Sequence, residues 1–147
     1  MTLLDPPPVA SHKSRVWTFT IVALVFALVA VLWFTFRYYP EKRLAGEFFD
    51  ALVAGDTNKA YTLWKPTQSY RMSDFVADWG PAGYYGPVKS YKIVAARAPN
   101  KSNSVEVEIL VSPYSPMPQA SDEEKVHKSK WVRLWISPDD KSFSFPP

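Results

Sequence analysis

Cysteine is absent from this chain of 147 residues. That excludes disulfides, thiolate metal sites and cysteine catalysis, and it leaves the compartment open, since oxidising and reducing environments both tolerate a cysteine-free chain. Histidine is almost as scarce. Only His127 lies beyond the first fifteen residues, and one imidazole among scattered carboxylates has none of the ligand spacing that zinc sites need, so neither a metal nor a cofactor is expected. A basic cluster with interleaved aromatics is also missing. The formal charge of +3 divides into Lys13 and Arg15 against Asp5 at the start and a nearly balanced remainder, which argues against a nucleic-acid partner.

One stretch lacks charge, glycine and proline altogether: Val16 to Phe36, VWTFTIVALVFALVAVLWFTF. As a helix at ~1.5 Å per residue it would cover roughly 30 Å, the thickness of a bilayer's hydrocarbon core. Trp17 and Trp33 stand near its ends, with Tyr38 and Tyr39 just beyond, where amphipathic rings favour the headgroup level. A single membrane span through a lipid bilayer is therefore expected. The residues after it show no small-residue cleavage pattern of a signal peptide, so the helix is expected to persist as an anchor. Lys13 and Arg15 precede it, and Arg37, Lys42 and Arg43 follow it. The positive-inside count does not decide the orientation. A short basic tail before a long apolar helix favours the tail in the cytoplasm and the rest on the non-cytoplasmic side. Residues 1–15, with Pro6, Pro7 and Pro8 in a row, read as an extended or disordered tail.

Residues 37–147 amount to one domain, long enough to bury a core without metal or disulfide help. Pro40 suits a helix first turn, and Leu44, Phe48 and Leu52, widened by Ala45, Phe49 and Ala51, form an apolar stripe. Gly55 ends that helix and Asp56 caps a second over Thr57 to Trp64. Lys65-Pro66 breaks the second helix. Ser73 is the expected cap of a third, containing Phe75, Val76 and Trp79 and stopped by Gly80-Pro81. Beyond the turn-rich run Ala82 to Pro87 the period becomes two. Tyr91, Ile93 and Ala95 alternate with Lys92, Val94 and Ala96. After a hairpin loop at Pro99 to Asn103, Val105, Val107, Ile109 and Val111 alternate with Glu106, Glu108 and Leu110. Pro113 to Asp122 reads as a long loop. The next strand is expected over Val126 to Ile136, with Val126, Val132, Leu134 and Ile136 on one side and His127, Trp131, Arg133 and Trp135 on the other. Phe143 and Phe145 make a last short strand. The expected class is α+β: after the span, about three helices packed on a curved antiparallel sheet of about four strands.

Within Glu41 to Trp64, the paired Phe48-Phe49, the Gly55-Asp56 step and the Ala60-Tyr61 pair resemble the opening of nuclear transport factor 2-like domains. The order of elements agrees with that superfamily from Glu41 to about Phe145. The resemblance implies a cone formed by helices on a bent sheet. It does not imply one activity, because that superfamily includes isomerases, dehydratases and hydrolases as well as domains that only bind or assemble. A span followed by such a domain is also similar in layout to the scaffold component of type IV secretion systems, of which this chain would be a shorter and simpler version.

Two readings of function follow. In the first the chain is a single-pass, membrane-anchored binding or assembly module for a protein partner or a second copy of itself. Tyr84 and Tyr85, in a loop flanked by glycine and proline, are its candidate contacts. In the second, Tyr61, Trp64, Tyr91, His127 and Trp131 line an aromatic cavity for a small apolar ligand or substrate. No catalytic role can be assigned to any residue, since no motif of the ketosteroid-isomerase branch aligns. The charges of Glu106 and Glu108 are expected to pair across strands with Lys92 or Arg133 on a solvated face.

Overall fold

The computed structural model describes residues 12–99 and 102–146. The chain divides into two compact units, one ending at Arg37 and the other running from Tyr38.

The first unit is the helix α1, His12–Phe36. From Val16 onward it is apolar on every side, and each described side chain from Arg15 to Phe36 is exposed. This one helix is long and apolar enough to cross a membrane. Two of its hydroxyls bond within the helix: Thr20 Oγ1 donates to the Val16 carbonyl at 2.9 Å and Thr35 Oγ1 to that of Val31 at 2.7 Å. The Arg37 guanidinium lies 5.1 Å from the centre of the Trp33 ring. The helix is described from His12 onward, within the tail expected over residues 1–15; the rest of that tail, with Pro6 to Pro8, lies outside the described residues.

The second unit contains α2 (Tyr39–Val53), α3 (Thr57–Trp64), α4 (Met72–Trp79), β1 (Ser90–Arg97), β2 (Val105–Ser112), α5 (Glu123–His127), β3 (Lys130–Ile136) and β4 (Phe143–Ser144). It is an α+β arrangement in which one antiparallel sheet runs β1-β2-β3-β4. Local signals account for the helix ends. Gly55, at φ +74°, turns the chain out of α2 in a conformation that costs glycine least. Asp56 Oδ1 accepts from the Lys59 N–H at 3.0 Å to open α3. At α4 the structure corrects the expected cap: Arg71 takes the N-cap position, and its N–H donates to Asp74 Oδ2 at 2.9 Å.

The core lies between the helices and the inner face of the sheet. Val107 and Ile109 of β2 and Val132, Leu134 and Ile136 of β3 are buried on that face, and α2 packs across β1 and β2. Phe48 is its centre. Its ring makes edge contacts with Phe49 at 5.1 Å and Trp79 at 5.2 Å, and lies 5.4 Å from Trp64 and 5.1 Å from Phe143. Aromatic pairs in such offset and edge geometries add about 0.5–1.5 kcal/mol each beyond the area they bury.

Two strand expectations need correction. In β1 a bulge falls between Ile93 and Ala95, so Val94 is extra and the alternation shifts by one: Tyr91, Ile93 and Ala96 pack on the core, in place of Ala95. One inserted residue is enough, because the side-chain period is two. The strand expected over Val126 to Ile136 begins only at Lys130; before it the chain forms α5, and Val126 is exposed. Glu123 and Glu124 at the start of α5 and Lys125 and His127 at its end match the polarity of a helix better than that of a strand. Of the hairpin loop after β1, residues 100–101 lie outside the described residues.

Candidate functional site

The helices cover one face of the sheet. The opposite face places residues in rows set by the strand register: Lys92, Leu110 and Trp131; Ala95, Glu108 and Arg133; Arg97, Glu106 and Trp135. The two lower rows form one charged network. Arg97 donates to Glu106 at 2.7 Å and to Glu108 at 3.1 Å, Arg133 reaches Glu108 at 3.1 Å, and Trp135 Nε1 lies 3.4 Å from Glu106. The expected cross-strand pairing thus forms with Arg133, whereas Lys92 stands opposite Leu110 and Arg97 takes its place. Burial acts to raise the Glu106 pKa, but the Arg97 and Trp135 hydrogen bonds and the Arg97 and Arg133 charges outweigh it and hold the carboxyl below its usual range. Above this network Trp131 stands 61% exposed, across from half-buried Leu110.

The turn after α4 brings a second aromatic to the same end of β3. Its backbone caps the helix: the N–H of Tyr84 donates to the Ala77 carbonyl at 2.9 Å and that of Tyr85 to Asp78 at 2.8 Å. These bonds fix both tyrosines, but in opposite senses. Tyr85 turns inward, stacked on Trp79 at 4.7 Å and on Phe145 at 5.8 Å. Tyr84 turns outward and is 68% exposed. Lys130 ties it to the sheet, with its ammonium 4.8 Å from the centre of the Tyr84 ring and hydrogen-bonded to the Tyr84 carbonyl. Neighbours along a strand point to opposite faces, so Tyr84 and Trp131 flank the start of β3 on either side.

The five cavity candidates do not converge. Tyr61 donates to the Tyr70 carbonyl at 3.1 Å and packs on Phe75. Tyr91 donates to Asp50 at 2.7 Å and to the Gly46 carbonyl at 3.2 Å, and stacks on Phe49; burial, then the Asp50 bond and charge, push its pKa up to about 12. Trp64 is buried against Phe143 and Tyr70 and forms part of the wall of a shallow cavity of about 260 Å³ with Thr67, Ser69 and Phe145. His127 is a correction: it lies in exposed α5 rather than beside Trp131 and Trp135 on a strand. Trp131 is another, since it faces outward from the sheet. The core therefore contains phenols committed to carboxylates and carbonyls. In one more such pair Tyr70 donates to Asp78 at 2.7 Å, and burial followed by that bond raises the phenol well above its usual range.

Among the described residues no group of three or more His, Asp or Glu is placed to hold a metal ion. Sequence reasoning passed over Lys130 and Arg97. Lys130 looked like one more surface lysine, and only the packing of the turn after α4 on β3 shows its contact. Arg97 was legible in principle, as a basic residue at a strand end with Glu106 and Glu108 alternating on the next strand. Comparison with family models, with curated proteins and with solved structures finds no match to this chain.

Proposed function

We propose that the chain is a single-pass membrane protein in which Val16 to Phe36 spans the bilayer and anchors a nuclear transport factor 2-like domain, and that this domain docks a protein partner or a second copy through the end of its sheet at the start of β3. The domain lies on the non-cytoplasmic side in this reading. The observation that carries it is the exposure of two large aromatics on either side of the start of β3, Tyr84 at 68%, held there by Lys130, and Trp131 at 61%. Aromatic side chains on a rigid support contribute most of the binding energy at many interfaces, with little entropy lost on ordering. The charged network of Arg97, Glu106, Glu108 and Arg133, on the outer face with Trp131, supplies register and partner choice. The proposed docking uses Tyr84 and leaves out Tyr85, whose half-buried ring stacks on Trp79.

The test is mild-detergent extraction of the full chain through a C-terminal tag, followed by sizing and identification of what accompanies it. Wild type is expected in a defined complex. The Tyr84→Ser and Trp131→Ser double variant, still folded by near-ultraviolet circular dichroism, is expected to run as a lone monomer. A complex that survives both substitutions unchanged refutes the assignment of this end of the sheet.

A further inference from the structure

We propose that the hollow at the start of α2 is a headgroup site for a zwitterionic phospholipid, with Arg43 the ligand of the phosphate and Glu47 the ligand of the ammonium. This rests on the reading of α1 as a membrane span.

The hollow has a volume of about 310 Å³ and is lined by Tyr39, Pro40, Arg43, Leu44, Glu47 and Lys141. That is at the small end of ligand sites, enough for a headgroup and too little for a whole lipid. Its apolar wall of Tyr39, Pro40 and Leu44 suits the glycerol and the first methylenes. Its charges come as a fixed pair one helical turn apart. Arg43 Nε donates to Glu47 Oε1 at 3.0 Å, with the side chains 69% and 47% exposed. The pair engages one edge of each group, Arg43 Nε and Glu47 Oε1. A cation edge and an anion edge side by side match a phosphate joined to an ammonium by two carbons. The third charge, Lys141, is committed: its Nζ lies 3.1 Å from Glu41, which is buried. The hollow is thus close to neutral, which selects against a purely anionic headgroup.

Covalent connection supplies the proximity. Tyr39 comes three residues after Phe36, a step of at most ~11 Å however the chain runs. The interfacial layer adds roughly 5–7 Å to each side of the hydrocarbon core. Tyr39 is itself 53% exposed, as an interfacial tyrosine should be.

The experiment uses the full chain, first in vesicles and then in detergent micelles doped with equal amounts of phosphatidylethanolamine and phosphatidylglycerol, with retained lipids counted by native mass spectrometry. Wild type is expected to stay with the vesicles through alkaline carbonate extraction and to retain phosphatidylethanolamine in preference. Arg43→Gln and Glu47→Gln are each expected to reduce that retention about five-fold, the size of one solvent-screened charge contact, while Lys89→Gln, on the exposed residue before β1, changes nothing. Retention that is equal in wild type and Arg43→Gln overturns the site while the span reading stands. Preference for phosphatidylglycerol overturns the zwitterion pairing. Loss of wild type from the vesicles overturns the span reading and the site with it.

Discussion

Replacement of Gly86 by alanine tests how the turn that displays Tyr84 is built. A Cβ at Gly86 would lie 1.8 Å from the Gly80 carbonyl oxygen and 2.9 Å from its carbon. Both are backbone atoms, so no side chain can swing aside. To reach ordinary contact the two segments must separate by about 1.5 Å. Either the Gly80 carbonyl rotates away from the Gly83 N–H, now 2.8 Å distant, or Gly86 withdraws its own N–H from the Gly83 carbonyl at 3.2 Å. Overpacking costs ~1–3 kcal/mol, and one or two lost hydrogen bonds add about 1 kcal/mol each. The sum, about 2–5 kcal/mol, corresponds to a fall in melting temperature of roughly 10–20 °C for a domain near this size. Gly55→Ala is the comparison, because nothing lies within 4 Å of its would-be Cβ and only its φ of +74° matters; strain alone costs ~1 kcal/mol, about 5 °C. Thermal unfolding of the full chain in detergent, followed by near-ultraviolet circular dichroism, measures both. If Gly86→Ala melts no lower than Gly55→Ala, the close approach of the two backbone segments is refuted.

Two further outcomes are expected. Lys141→Met leaves the Glu41 carboxylate buried without its ammonium; broken buried pairs cost ~3–5 kcal/mol, and solvent at the 39% exposed lysine reduces this to about 2–3 kcal/mol. Adding Glu41→Gln should restore most of the loss in urea titrations, and because methionine is no easier than lysine at φ +58°, backbone strain does not confuse the comparison. Asp140 accepts hydrogen bonds from Ser137 and Ser142 that lower its pKa from 3.8 to about 2. Since the folded value is the depressed one, its stabilising effect is complete above pH ~3.8 and lost as pH falls towards 2. Ser142→Ala should raise the carboxyl's midpoint in a nuclear magnetic resonance titration and flatten the dependence of stability on pH in that window.

Short-range chemistry explains what was readable in the chain. The limits of α3, its Asp56 cap, the left-handed Gly55 and the stop at Gly80-Pro81 depend on residues within a turn of each other, and the α+β order follows from the change of period from helical to two. The bulge in β1 is different. Val94 and its neighbours fit either register, and the choice is made by pairing with β2 and by the helices packed behind. The onset of β3 was misplaced because Val126 continues a period-two pattern that the charges of α5 override.

The sequence by itself determined α1 to α4, the presence of four strands, the absence of thiol chemistry and one helix apolar enough for a membrane, because each depends on residue type and local spacing. Only the tertiary structure decided which aromatics are presented. Tyr84 and Tyr85 are alike in sequence, yet one stacks on Trp79 and the other stands in solvent, since the bonds that cap α4 set the turn's orientation. Both faces of β3 carry apolar residues. Trp131 lies outside because the helices cover the side of Val132, Leu134 and Ile136, and a period of two defines two faces without saying which will be covered.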